Sequence, residues 1–120
     1  MKNEQRHILV VDDEPKVLRF IEIGLNLSGF YVLTTTSGQE ALELVSSEKP
    51  DLMLLDIVMP DMDGFEVLKQ LRLFSDIPVI AISASPAIQD DITRRGADYF
   101  VMKPFNPNDL AMMITRLLGG

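Results

Sequence analysis

The sequence predicts an α/β fold, a doubly wound parallel sheet of five strands flanked by five helices. Short apolar runs alternate along the chain with segments in which apolar residues recur at helical spacing. Such alternation, without long linkers, leads to a parallel sheet with right-handed crossovers and helices on both faces. Because 120 residues suffice for a single core, we expect residues 1–120 to form one domain.

The strands are predicted from apolar runs and the helices from apolar stripes with their start and stop residues. Pro15 suits the first turn of a helix, Ser37 followed by Glu40 is a capping box, and Asn106-Pro107 starts the last helix. We predict strands over 8–11, 30–35, 52–55, 77–82 and 99–102. We predict helices after Pro15 to Ser28, after Ser37 to Lys49, after Gly64 to Phe74, after Pro86 to Arg95 and after Asn106 to Gly119.

Two of the apolar stripes give specific predictions about which side chains are buried. In the first helix the stripe comprises Val17, Leu18, Phe20, Ile21, Leu25 and Leu27. In the third helix it comprises Phe65, Val67, Leu68, Leu71 and Phe74. Outside these stripes, we expect Asp61 and Asp63 to form turns or caps, and Arg94-Arg95 to be a solvated helix end.

Composition excludes several classes of function. A formal net charge of −7 argues against nucleic-acid binding, which requires a basic surface. The absence of cysteine excludes disulfides, thiolate metal sites and cysteine nucleophiles. The polar start runs into only a short apolar strand, which is neither a signal peptide nor a membrane span. We therefore expect a cytoplasmic protein that does not associate with membranes.

Polar side chains follow four of the predicted strands. Asp12 and Asp13 follow the first, Asp56 the third, Ser83 the fourth and Lys103 the fifth. Because the carboxyl ends of parallel strands meet at one edge of the sheet, we expect these side chains to converge there. Clustered carboxylates raise one another's pKa and require a counterion. Hard oxygen ligands of this kind suit Mg²⁺.

This predicted cluster has the groups needed for phosphoryl transfer. A carboxylate beside a divalent cation and an ammonium group can attack phosphorus and become an acyl phosphate. Lys103 and the Ser83 hydroxyl could each contact a phosphoryl oxygen, so that charge on the transferred group is distributed over several partners.

Four motifs in order carry a family resemblance. The chain resembles the receiver domain of bacterial two-component response regulators, of the chemotaxis-regulator type, over essentially its whole length. The motifs are Val10-Val11-Asp12-Asp13-Glu14-Pro15, Leu54-Leu55-Asp56-Ile57-Val58-Met59-Pro60-Asp61-Met62-Asp63-Gly64, Ile82-Ser83-Ala84 and Met102-Lys103-Pro104-Phe105.

The resemblance implies a fold and a role for each site residue. The strand order would be 2-1-3-4-5, as in flavodoxin-like folds. Asp56 would be the phosphoacceptor, Asp12 and Asp13 the acidic pocket, and Mg²⁺ would be held there with the backbone carbonyl of Val58. Ser83 and Phe100 would be the switch residues, where the family more often has Thr and Tyr. The Lys103–Pro104 bond is similar to one that is usually cis.

The resemblance also implies partners and a non-enzymatic role. A sensor histidine kinase or a phosphotransfer protein would be the phosphodonor, and the output would be a C-terminal effector domain, a separate protein target or a phosphorylation-dependent homodimer. Three alternatives come from the residues, and the first is an aspartate-nucleophile phosphohydrolase, whose motif is Asp-x-Asp, although this chain has Val58 two residues after Asp56. The second is a dinucleotide-binding domain, although the first strand is not followed by the Gly-x-Gly-x-x-Gly motif that such a domain needs. The third is a docking module that is never phosphorylated.

Overall fold

The computed structural model describes residues 5–60 and 62–119. Five parallel strands form one sheet in the order β2-β1-β3-β4-β5, which confirms the predicted doubly wound topology. The strands are β1 (His7–Val11), β2 (Tyr31–Thr35), β3 (Leu52–Asp56), β4 (Val79–Ser83) and β5 (Tyr99–Met102). The helices are α1 (Pro15–Leu27), α2 (Gly38–Glu48), α3 (Gly64–Leu71), α4 (Gln89–Arg94) and α5 (Pro107–Leu117), and a 3₁₀ turn (Pro86–Ile88) precedes α4.

The sheet separates two hydrophobic layers. Side chains alternate across a strand, so Leu9 and Val11 of β1 pack on one face while Ile8 and Val10 pack on the other. The first layer contains buried residues of α2, α3 and α4, and the second contains those of α1 and α5. Burial on both faces explains why the central strands read as continuous apolar runs.

The strand order reverses between β1 and β3. From β1 the chain crosses to β2 on one side and then returns to β3 on the other, so the connections after β1 and β3 diverge. Val11 of β1 lies in register with Leu55 of β3, and Asp56 lies in register with Ile82 of β4. The reversal opens a crevice at the carboxyl ends of β1 and β3, where sheets of this kind bind ligands.

Several predicted core positions are wrong. Phe20 and Leu27 of α1 are 54% and 84% exposed, and Phe74 lies beyond the end of α3 and is also exposed. The buried stripe of α1 is Leu18, Ile21 and Leu25. Phe20 is turned from Ile21 by about 100° and Leu27 from Leu25 by about 200°, because an α-helix has 3.6 residues per turn.

The predicted start of the fourth strand is also wrong. The strand begins at Val79 rather than Ile77. Pro78 has no N–H to donate to a ladder, and the N–H of Ile77 donates instead to the Ser75 hydroxyl. The segment predicted as the fourth helix is a 3₁₀ turn followed by a helix of six residues, in which Ile92 is the buried side chain.

Helix caps follow the sequence signals. The Ser37 hydroxyl accepts from the Glu40 N–H, as the capping box predicts, whereas the Glu40 carboxylate accepts from the Thr35 hydroxyl. Asp63 caps α3 and Asn106 caps α5, while Asp61 lies outside the described residues. None of the helices in the described part is long and apolar enough to cross a membrane.

Candidate functional site

The candidate site is a cavity of about 440 Å³ at the carboxyl edge of the sheet. Asp56 and Ser83 are the last residues of β3 and β4, while Asp12 and Lys103 directly follow β1 and β5. The strand ends therefore bring together the side chains that the sequence predicted to converge. The cavity is lined by Asp13, Glu14, Asp56, Val58, Ser83, Ala84, Ser85 and Lys103.

Three carboxylates form the acidic part of the site. Asp12, Asp13 and Asp56 each offer an oxygen, and these oxygens all lie within 4.8 Å of one another. Asp12 and Asp56 are buried. One Asp12 oxygen accepts from the Glu14 N–H at 2.9 Å, and the Asp12 N–H donates to the Thr35 carbonyl at 3.2 Å. The β2–α2 junction thus fixes the backbone of the first carboxylate.

Lys103 lies between two of the carboxylates. Its Nζ is 3.3 Å from an oxygen of Asp12 and 3.5 Å from an oxygen of Asp56. The Lys103 N–H donates to the Ser83 carbonyl at 2.9 Å, which extends the pairing of β4 and β5 to the site. The Lys103–Pro104 bond is cis, as the resemblance implies.

Burial and neighbouring charges shift the pKa of Asp56. Desolvation raises the pKa of this carboxyl to about 6, the Asp12 and Asp13 charges act in the same direction, and the Lys103 charge opposes them. Burial alone would lower the pKa of Lys103, but the Asp56 and Asp12 carboxylates outweigh burial and raise it above its ordinary value. One ammonium group is therefore insufficient to neutralise the three carboxylates.

The donor set fits a hard divalent cation. Three convergent carboxylates with one nearby ammonium group leave an excess of negative charge, and all the available donors are oxygens. Carboxylate oxygens in a cavity that keeps access to water are the ligands that Mg²⁺ prefers. Val58 lines the same cavity and is an exposed residue, so the loop after β3 borders the cluster.

The other two predicted site residues differ in their placement. Ser83 is buried at the cavity wall, and its hydroxyl accepts from the Ser85 N–H at 3.0 Å. Phe100 is half-buried in β5 and packs against the hydrophobic layer of α2, α3 and α4. It is not among the residues that line the cavity. Ser83 therefore lies at the same cavity as Asp56, whereas Phe100 packs in the hydrophobic layer and does not line the cavity.

An apolar groove beside the cavity was missed by the sequence reasoning. It has a volume of about 350 Å³ and shares Glu14, Ala84 and Lys103 with the cavity. Its other lining residues are Val17, Phe20, Pro104 and Phe105. The available signal was the position of Phe20, which does not fit the stripe of Leu18, Ile21 and Leu25.

Comparisons with known proteins identify the family of this chain. The family model described as the response regulator receiver domain matches residues 8–115. The probable transcriptional regulator ycf27 of Porphyra purpurea is 42% identical over 98% of this chain and 49% of its own length. The response regulator SaeR of Staphylococcus aureus (strain USA300) is 40% identical over 93% of this chain and 50% of its own length. The chain spans about half the length of these curated relatives.

Solved structures show the same fold. The Francisella response regulator 1452 receiver domain has a TM-score of 0.90 at 30% identity, with 96% of this chain and 98% of that chain covered. The chemotaxis protein CheY4 of Vibrio cholerae has a TM-score of 0.87 at 29% identity, with 94% and 98% covered. The chain therefore belongs to the family of response regulator receiver domains, signalling modules of two-component systems that are phosphorylated on an aspartate.

Proposed function

We propose that Asp56 is the phosphoacceptor of this domain and that the reaction depends on Mg²⁺. The observation that carries the proposal is the position of the Asp56 carboxylate at the cavity wall, 3.5 Å from the Lys103 ammonium and beside Asp12 and Asp13. Receiver domains are generally not classed as enzymes, and this chain would likewise modify itself rather than turn over an external substrate.

The Asp56 carboxylate would attack the phosphorus of the donor. A new O–P bond forms while the bond from phosphorus to the donor's nitrogen or oxygen breaks, and the leaving group takes up the electron pair. Mg²⁺, held by Asp12, Asp13, Asp56 and the Val58 carbonyl, would neutralise charge on the phosphoryl oxygens. Lys103 is already within 3.5 Å of the attacking carboxylate and would pair with another phosphoryl oxygen.

Ser83 and Phe100 would transmit the effect of phosphorylation at Asp56 to the surface of the domain. The Ser83 hydroxyl can donate to a phosphoryl oxygen while its oxygen continues to accept from the Ser85 N–H. Movement of Ser83 towards the phosphoryl group would make room at the end of β4, and the half-buried Phe100 of neighbouring β5 could reorient into it. Phosphorylation would then shift the population towards a second surface arrangement.

Receiver domains interact with histidine kinases, and the groove beside the cavity suggests where a donor protein would dock here. The groove is apolar, includes the exposed ring of Phe20, and opens into the cavity through Glu14, Ala84 and Lys103. A donor helix seated on α1 could therefore present a phosphohistidine to Asp56. We further propose an effector domain or a separate target as the output, and homodimerisation on phosphorylation as one form of it.

The test is incubation with acetyl phosphate and Mg²⁺, followed by intact mass spectrometry. We expect one added phosphoryl group on the wild type, none on Asp56→Asn, and a strongly reduced rate with a chelator in place of Mg²⁺. An unchanged mass for the wild type, or an equal gain in Asp56→Asn, would remove the proposal. Steady release of phosphate from a panel of other phosphate esters would instead favour a phosphohydrolase.

A further inference from the structure

A contact between Arg95 and Phe65 joins the end of α4 to the start of α3. The Arg95 guanidinium lies over the Phe65 ring, 5.0 Å from its centroid. This geometry is that of a cation–π interaction. Arg95 was predicted to be a solvated helix end, and it is indeed 54% exposed, but its charged group has an aromatic partner.

Asp91 positions the guanidinium of Arg95. An Asp91 oxygen is 3.2 Å from the Arg95 Nε, one helical turn away, and accepts a hydrogen bond from it. The same oxygen is 3.6 Å from a nitrogen of Arg94. The two adjacent arginines therefore share the ion pair, whereas Arg95 is the one placed over the ring. Arg94 serves as a matched control.

Few side chains of α4 itself are buried, and the Arg72 guanidinium at the end of α3 donates to the Gly96 carbonyl just beyond α4 at 2.8 and 3.2 Å. Helix α4 has six residues, and Ile92 is the buried side chain among them. Helical segments this short are not stable by themselves and depend on tertiary contacts. The Arg95–Phe65 contact is therefore a second connection between α3 and the end of α4, beside the Arg72–Gly96 hydrogen bonds.

Phe65 and Arg95 lie on two segments that both begin at the cavity. Phe65 follows Gly64, whose N–H donates at 2.7 Å to the carbonyl of Ile57, the residue after Asp56. The segment that includes α4 leaves the cavity from Ser83, through the Ser83–Ser85 hydrogen bond and the 3₁₀ turn. The Arg95–Phe65 contact thus connects two segments that leave the cavity from different strands.

We propose that the Arg95–Phe65 contact is a latch that holds the C-terminal end of α4 against α3. While the latch is closed, α4 opposes displacement of the segment that follows Ser83. The free energy of the latch therefore contributes to how readily the domain reaches the arrangement favoured by a phosphoryl group. The effect of the latch on phosphorylation rests on the proposed function, whereas the existence of the latch does not.

Hydrogen exchange of the whole chain tests the latch without any phosphodonor. The amide groups of Arg95, Gly96 and Ala97 donate to carbonyls of α4 and report its opening. A cation–π contact at a partly exposed site corresponds to about a two- to fivefold change in an equilibrium constant. We expect these amides to exchange faster by that factor in Arg95→Gln, and at the wild-type rate in Arg94→Gln.

A second substitution separates the ring from the ion pair. Phe65→Leu keeps an apolar side chain but removes the ring, so it should speed exchange as Arg95→Gln does. The double variant should exchange no faster than either single variant, because both remove the same contact. Equal acceleration in Arg94→Gln and Arg95→Gln, or fully additive effects of Arg95→Gln and Phe65→Leu, would overturn the latch.

The link to phosphorylation is tested with beryllofluoride and Mg²⁺, a noncovalent stand-in for the phosphoryl group. Arg95→Gln should bind it more tightly by up to the same factor, since coupling between two equilibria is reciprocal, and Arg94→Gln should match the wild type. Equal affinity in Arg95→Gln and wild type would overturn the regulatory role. Failure of the wild type to bind it, with the exchange result intact, would instead count against the proposed function.

Discussion

At the scale of single residues, Asp56 is held in a place that disfavours its charge. The residue is 3% exposed, and its pKa is raised to about 6 by burial and by the neighbouring carboxylates. Below the unfolded-state pKa near 3.8 the carboxyl is protonated in both states. As the pH rises from about 3.8 to about 6, the carboxyl ionises in the unfolded state but stays protonated in the folded state, so the stability contributed by this residue falls over that range and is lost above pH 6.

We expect Asp56→Asn to be more stable than the wild type when no divalent cation is present. The gain should be close to zero near pH 4, grow as the pH rises to about 6, and reach about 1 to 3 kcal/mol at pH 7. The measurement is urea unfolding from pH 4 to pH 7 with a chelator.

The control for this prediction is Asp76→Asn at an exposed carboxylate. It should leave the pH dependence unchanged. Adding Mg²⁺ should stabilise the wild type and have much less effect on Asp56→Asn, since a ligand of the folded state stabilises by mass action. A gain that does not vary with pH would show that the Asp56 charge is not its cause.

The roles of single residues were predicted from their positions at the ends of strands. Asp12, Asp56 and Lys103 could be predicted to meet because each ends a strand and parallel strands share an edge. The partner of Arg95 could not be predicted, because Phe65 lies on a different helix and only the folded arrangement of the chain brings the two side chains together. The exposure of Phe20 was predictable from its angle on the helix, but its apolar character favoured burial.

At the scale of elements, the junction of β3 and α3 depends on a glycine. A Cβ on Gly64 would lie 2.5 Å from the Ile57 Cα and 3.0 Å from the Asp56 carbonyl oxygen. The absence of a side chain lets α3 start directly against the end of β3, and the Gly64 N–H donates to the Ile57 carbonyl. The loop that contains Val58 is thereby held at the cavity.

We expect Gly64→Ala to lower stability by about 1 to 3 kcal/mol, because the added methyl group forces backbone to move apart. It should also weaken Mg²⁺ binding, since Asp56 and Val58 lie on the two sides of the displaced junction. Denaturant unfolding and a Mg²⁺ titration monitored by NMR measure the two effects. Lys69→Ala, at an exposed position of α3, should change neither. Wild-type Mg²⁺ affinity in Gly64→Ala would contradict the proposed role of the junction.

Helices and strands were predictable as far as local signals specified them. The Ser37 and Asn106 caps fixed helix starts, and the buried central strands were clear as apolar runs. The start of β4 could not be predicted from the apolar run, because Ile77 and Pro78 continue that run. Pro78 nevertheless lacks the N–H group that a strand ladder needs. The short α4 was also not defined by periodicity, since Ile92 is its one buried side chain.

At the scale of the whole molecule, the reversal of strand order places the acidic cavity and the apolar groove side by side. The groove lies on the α1 side of Lys103, and the cavity lies above β3 and β4. The alternation of strands and helices predicted the parallel sheet, and the order 2-1-3-4-5 came from the family resemblance. No local pattern predicted the groove, which forms where α1 meets the segment after β5.

We expect Phe20→Asp to separate the two kinds of phosphodonor. A charged side chain in the groove should slow transfer from a phosphorylated histidine kinase at least tenfold, a loss of about 1.4 kcal/mol of transition-state stabilisation. Labelling by acetyl phosphate should stay near the wild-type rate, because Phe20 does not line the acidic cavity. The measurement is radiolabel transfer with both donors.

Leu27→Asp provides the comparison, since Leu27 is on the same helix and exposed but outside the groove. It should leave both reactions unchanged. Equal loss of kinase transfer in the two variants would indicate a general effect of charge on α1 rather than docking in the groove.

The shared wall formed by Glu14, Ala84 and Lys103 has a consequence for how long a signal lasts. A protein seated in the groove would also cover the approach by which water reaches an acyl phosphate at Asp56. We therefore expect the acyl phosphate to be hydrolysed only after that protein has dissociated. The residence time of the bound protein, as much as the reactivity of the acyl phosphate, then determines how quickly the domain returns to its unphosphorylated state.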